Sequence, residues 1–193
     1  FLMIRRPPRS TLDRSAAASD VYKRQATLHP VGMAGGVLQM FSHGIMTALM
    51  FAMVGAIYER SHIRDIFVLN GLIKRMGVTS VFFAVAGLAS LGLPGLSGFI
   101  AEFMVFVGAF STYWPLAVIA VVGAAITAVY ILRLLARTFF GDFDPEWDHL
   151  TDASPVEKAV GGVFVLILIL VGVWPALLLD VINNGVAAVL PVL

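Results

Sequence analysis

The sequence predicts an all-α polytopic membrane protein with four transmembrane spans, one of them a broken (discontinuous) helix, and three observations carry that prediction. The composition is 59% hydrophobic and 13% charged, with a mean hydropathy of +0.91, whereas an average soluble domain carries about 25% charged residues. Apolar stretches long enough to cross a bilayer are separated by short charged or turn-rich segments. One of them, Gly77 to Phe110, is too long for a single straight crossing: at about 1.5 Å per residue it would run to roughly 51 Å, against a bilayer core of about 30 Å. The chain has no cysteine, so disulfides, iron–sulfur clusters and thiolate metal sites are excluded within it, and any redox chemistry belongs to partners.

Phe1 to Gln25 is set apart by charge. It holds Arg5, Arg6, Arg9, Arg14, Lys23 and Arg24 against Asp13 and Asp20, while the remainder is net negative. It has no apolar core of a signal peptide and no initial methionine. A flexible basic arm is one reading. The segment also resembles translated sequencing-adapter read-through, and residues 1–25 are expected to be non-native or disordered, with the membrane bundle beginning near Ala26.

The first span is expected at about 31–57. Within it Gln39, His43 and Thr47 recur every four residues, with Gly35 one turn earlier, a narrow small-and-polar stripe expected to face other helices. Two readings fit His43, a proton carrier or an interhelical hydrogen bond. Glu59 to Met76 follows with four basic and two acidic residues. Its Lys/Arg excess assigns it to the cytoplasmic side, and Glu59, Arg60, Arg64 and Asp65 are expected to form local ion pairs or subunit contacts.

The broken span is expected at 78–110, interrupted near 92–95. At Gly92-Leu93-Pro94-Gly95 proline removes a backbone donor and the glycines lower the cost of unwinding. Irregular backbone at membrane depth is tolerated only where protein buries it or where it lines a wet cavity. Glu102 sits in the second half, amid Phe99, Ile100, Phe103 and Phe106, the only acidic residue between Asp65 and Asp142. A lone carboxylate in an apolar span is costly and normally belongs to an ion or proton path, the alternative being a structural hydrogen bond to a neighbouring helix. Broken helices and embedded charges together mark transport pathways, which makes Glu102 the foremost candidate for proton translocation.

The third span, about 114–140, starts at an aromatic anchor, Tyr113 and Trp114, and ends with Arg133 and Arg137 one turn apart. Arg137 snorkels toward the face of the Glu59–Met76 loop, whereas Arg133, deeper, either snorkels or pairs with a carboxylate. Gly141 to Pro155 carries Asp142, Asp144, Glu146, Asp148 and Asp152. It lacks EF-hand spacing and is expected to be a solvated loop. The fourth span, about 156–179, is expected to kink or stop at Pro175, leaving Val181 to Leu193 as an apolar tail on the opposite face. No phosphate loop, dinucleotide fingerprint, nucleophile elbow or zinc motif is present. Nothing beyond residue 25 points to nucleic acid.

Four pieces of this sequence, Gln39-Met40-Phe41-Ser42-His43-Gly44, Tyr58 through Asp65 (YERSHIRD), Leu88 through Phe103 (LASLGLPGLSGFIAEF) and Phe139-Phe140-Gly141, resemble the C-terminal part of the subunit M (chain 4) family of bacterial NADH:quinone oxidoreductase, respiratory complex I. The resemblance runs from about Ala26 to Asp180. It implies an antiporter-like, proton-translocating subunit whose eleventh to fourteenth helices are represented here, multi-pass in the bacterial inner (plasma) membrane. Glu102 falls on the acidic residue of the family's broken helix, where sister subunits and cation/proton antiporters usually place lysine. His43 matches the histidine of the proposed hydrophilic axis, with Gln39, Thr47 and Arg133 as candidate members of a polar relay. Ile63 replaces the threonine usual in the family pattern. By the same resemblance, NADH, FMN, iron–sulfur clusters and quinone lie on partner subunits, the partners are the other membrane-arm and peripheral-arm subunits and the lipid bilayer, and this chain holds no cofactor. A monovalent cation/proton antiporter, a membrane-bound hydrogenase subunit, or a non-catalytic membrane scaffold are the competing readings.

Overall fold

The computed structural model describes residues 29–63 and 65–189. The basic segment 1–25, Arg64 and residues 190–193 lie outside the described residues. Every regular element described is helical: α1 Pro30–Ser61, α2 Gly77–Ser90, α3 Ser97–Thr112, α4 Trp114–Thr138, α5 Pro155–Val173 and α6 Ala176–Val189, with short 3-10 turns at Leu72–Lys74 and Pro145–His149. α1, α4 and α5 are each long and apolar enough to cross a membrane, while α2 and α3 are shorter apolar helices. Taken singly, 14 or 16 residues reach only about 21–24 Å. Together they complete one crossing.

That crossing runs antiparallel to α1. A Cβ on Gly108 would meet Gly32, one on Gly35 would meet Met104 and Ala101, and the Ser42 hydroxyl bonds to that of Ser97 at 2.6 Å. Below the break, Met46, Leu49, Met53 and Ile57 of α1 share a core with Phe83, Ala86 and Ala89 of α2. Partners thus fall in number on one side as they rise on the other, across both halves. The contact at Gly35 and Gly108 is backbone against backbone, the close approach that small residues permit between apolar helices.

Two cores result. The larger joins α1 and α2 to Ile131, Leu135 and Phe139 near the end of α4, to Trp147 and Leu150 of the acidic segment, and to Leu168 of α5. The smaller gathers Leu38, Ala101 and Val171 under Leu178, Leu179 and Ile182 of α6. The helices differ most from the expected spans at two ends: α1 continues to Ser61, closed by His62 in the left-handed conformation at φ 55°, and α5 stops at Val173 rather than near 179.

Three expectations are corrected. The stretch after Pro175 is not simply an apolar tail: Trp174-Pro175 ends α5 and a new helix, α6, packs Leu178, Leu179 and Ile182 against the core that holds Leu38 of α1. The acidic segment is not simply a solvated loop, since Trp147 (2% exposed) and Leu150 (4%) anchor it in the core. Arg60 does not pair locally but bonds Glu157, 97 residues away.

Candidate functional site

The break between α2 and α3 is built by two standard backbone devices in succession. α2 ends in a Schellman motif: Leu93 N–H donates to Leu88 O at 3.1 Å and Gly92 N–H to Ala89 O at 3.2 Å, with Gly92 at φ +66°. Leu93-Pro94-Gly95-Leu96 then forms a type II turn, closed by Leu96 N–H donating to Leu93 O at 3.1 Å, with Gly95 at φ +94°. Proline presets the first central angle and glycine supplies the second. The end of α2 is therefore largely satisfied by backbone, and Leu96, the residue before α3, offers no side-chain cap.

The loop is enclosed on two sides. Ser42 of α1 and Ser97 are 0% and 1% exposed, and a Cβ on Gly172 of α5 would overlap Gly95 O and Leu96. Leu93, Pro94 and Gly95 are exposed on the remaining side.

Glu102, one turn into α3 and half-buried, reaches back to this break. A Cβ on Gly92 would stand 2.6 Å from Glu102 Oε2 and 3.4 Å from its Cδ, so the carboxylate rests against the glycine that ends α2. Helical side chains lean toward the N-terminus of their helix, which brings this anionic head toward the end where backbone N–H groups concentrate positive charge. An acidic group, a half-helix end and an irregular turn thus meet in one place.

The other candidates are placed as follows. His43 follows Ser42 on α1 and is exposed, its ring without a hydrogen bond among the described residues. Gln39 is half-buried, with Oε1 buried and unbonded among the described residues. The Thr47 hydroxyl donates to His43 O at 2.6 Å. Arg133 is exposed on α4 with no ion pair among the described residues, and Arg137 lies 4.5 Å over the Phe67 ring.

The expected stripe does not stay on one face. A step of four residues overshoots a 3.6-residue turn by about 40°, so the series beginning at buried Gly35 has rotated outward by His43. The path that stays buried steps by three and four, through Leu38, Ser42, Met46, Leu49 and Met53. Ser42 and Ser97 were not singled out from the sequence. Following that alternating step would have marked Ser42 as a polar residue on the packed face.

A second polar cluster occupies the opposite end of α2. The Asp152 carboxylate accepts from Val78 N–H (2.9 Å), Thr79 N–H (3.2 Å), the Thr79 hydroxyl (3.0 Å) and Ala153 N–H (2.7 Å). Burial pushes its pKa up, but those hydrogen bonds outweigh burial and hold it below the ordinary carboxylate range. Ser154 and Glu157 form a capping box at the start of α5.

Comparisons with known proteins agree with this architecture. Residues 26–127, more than half of the chain, match the family described as NADH:quinone oxidoreductase/Mrp antiporter, TM. The chain is 37% identical over 157 residues to NADH-quinone oxidoreductase subunit M of Rhodobacter capsulatus, covering 81% of this chain and 31% of that protein. It is 38% identical over 176 residues to NAD(P)H-quinone oxidoreductase chain 4 1 of Synechococcus sp. (strain JA-3-3Ab), covering 84% and 34%. It therefore spans about a third of the length of these curated relatives. Among solved structures, a chain of respiratory complex I from Thermus thermophilus with bound NADH superposes with a TM-score of 0.78 at 29% identity, over 85% of this chain and 35% of that one. A chain of the Mrp complex from Dietzia sp. DQ12-45-1b shares the fold, with a TM-score of 0.72 at 22% identity over 84% and 38%. Fold, broken helix and sequence match converge, and the chain belongs to the NADH:quinone oxidoreductase/Mrp antiporter transmembrane family.

Proposed function

We propose that this chain is a segment of a subunit M/chain 4-type membrane-arm subunit of a respiratory NADH:quinone oxidoreductase in the bacterial inner (plasma) membrane, where it forms part of a path that moves protons as electrons pass from NADH to quinone. The observation that carries this reading is the Glu102 carboxylate resting on Gly92 at the helix break. A carboxyl there takes a proton from one side and releases it to the other when the surrounding half-helix ends shift, because the cost of its charge depends on how the local dipoles and water face it. His43, exposed on α1, passes protons through water toward it, with Gln39, Thr47 and Arg133 as flanking polar groups. NADH, FMN, iron–sulfur clusters and quinone bind to partner subunits, and the apolar outer faces of the helices meet lipid or neighbouring subunits.

The test is purification of the tagged full-length subunit from its own host membrane. Co-purification of quinone-reducing NADH oxidation, with acidification of inverted vesicles driven by NADH, is the expected result. Monovalent cation/proton exchange by the purified assembly without NADH oxidation would replace this reading with the antiporter one.

A further inference from the structure

One guanidinium ties together the ends of three helices. Arg60, at the end of α1, directs Nη1 to Glu157 Oε1 at 3.1 Å and Nη2 to Glu157 Oε2 at 2.7 Å, while Nη1 also donates to Ala56 O at 2.8 Å. This forked geometry holds both position and angle, which a lysine could not do. The two side chains are only 18% and 26% exposed. Glu157 is simultaneously the third residue of the α5 capping box, and Asp152, just before it, caps the start of α2 through Val78 and Thr79. The Arg60 Nη2 reaches the Asp152 carbonyl at 3.5 Å. α1, α2 and α5 are thus pinned at a common end.

The same three helices meet again at the break. α1 supplies Ser42, α2 ends in Gly92 under the Glu102 carboxylate, and α5 presents Gly172 to the turn at Gly95 and Leu96. α2 is a lever of 14 residues, about 21 Å, so a tilt of about 3° at the pinned end displaces Gly92 by about 1 Å. Displacements of that size disable reacting geometries.

We propose that Arg60, acting through Glu157 and Asp152, is a positioning residue for the helix break, setting where Gly92 meets the Glu102 carboxylate. The proposal rests on the proton-path reading of Glu102 for its functional consequence, and on packing alone for its structural one.

The experiment uses the full-length subunit in its assembled complex, in inverted membrane vesicles. Arg60→Ala removes the fork. Glu157→Gln removes the charge pair while keeping a residue suited to the capping box. Both are combined with Glu102→Gln, and protons moved per NADH oxidised are measured on equal amounts of assembled complex. Each single variant is expected to lower the ratio, and adding either one to Glu102→Gln is expected to lower it no further, as for residues acting through one group. A loss of assembled complex with an unchanged ratio overturns the proposal, as does an additive loss. A second readout does not depend on Glu102: this segment has no native cysteine, so Leu93→Cys gives a single thiol in the break for maleimide labelling. Its labelling rate is expected to change severalfold in Arg60→Ala, and an unchanged rate contradicts positioning. If Glu102→Gln alone leaves the proton ratio intact, the site reading fails while the labelling still decides the role of Arg60.

Discussion

The two ends of α2 handle polar groups in opposite ways. At its start, side chains supply the satisfaction: Asp152 accepts four hydrogen bonds, and Glu157 serves Arg60 and the α5 cap together. At its end, backbone hydrogen bonds close both the Schellman motif and the type II turn. The difference separates a structural charge from a candidate working one. A carboxylate held by several backbone N–H groups cannot change protonation without loosening a helix end. A carboxylate set beside a turn that backbone hydrogen bonds close can do so without breaking those bonds.

The sharpest way to break this contrast is at the two glycines of the turn. Both have positive φ, so replacing either by alanine costs about 1–2 kcal/mol of backbone strain. Only at Gly92 would the new Cβ collide with the Glu102 carboxylate, whereas at Gly95 it meets nothing within 4 Å. Gly92→Ala is therefore expected to abolish proton movement and destabilise the assembled complex, and Gly95→Ala to lower thermal stability with proton movement retained. Equal functional loss in both would show that strain alone, and not contact with Glu102, governs the site.

A smaller effect tests the other end. The Asp152 pKa is lower folded than unfolded, so its stabilisation is fully present above the ordinary value of 3.8 and is lost as pH falls below it toward the folded value. Denaturation of the purified complex between about pH 5 and pH 2 should show this loss, and Asp152→Asn should be less stable at neutral pH with a flatter acid limb. An unchanged acid limb would remove Asp152 from its capping role. The smallest effect is expected at Arg75, which bonds Asp148 where both side chains are well exposed (42% and 65%). Arg75→Ala should cost no more than about 1 kcal/mol, and less at high salt.

The legible parts of the sequence were those set by neighbours along the chain. Proline and glycine at 92–95 state a break, and the solitary Glu102 in apolar surroundings marks a candidate site, because both follow from local backbone chemistry and transfer cost. Span limits followed from apolar length. The partnership of Arg60 with Glu157 was not legible in this way, since nothing at either position names a residue 97 places distant. Its general outline was available, however: the basic Glu59–Met76 loop and the acidic Gly141–Pro155 segment lie an even number of crossings apart, on one face, with opposite charge. The acidic segment was misread because its five carboxylates obscured Trp147 and Leu150, which fix it in the core. The final helix was not legible because Pro175 marks the end of one helix without showing that Leu178, Leu179 and Ile182 belong to another.

The most direct measurement of the central claim is the number of protons translocated per NADH by inverted vesicles carrying Glu102→Gln in the full-length subunit, normalised to assembled complex, with Glu102→Asp alongside. A marked fall in the glutamine variant, with substantial retention in the aspartate one, is the predicted result, since only the latter keeps a titratable carboxyl at the break. An undiminished ratio in Glu102→Gln would contradict the account and leave Glu102 as a structural residue.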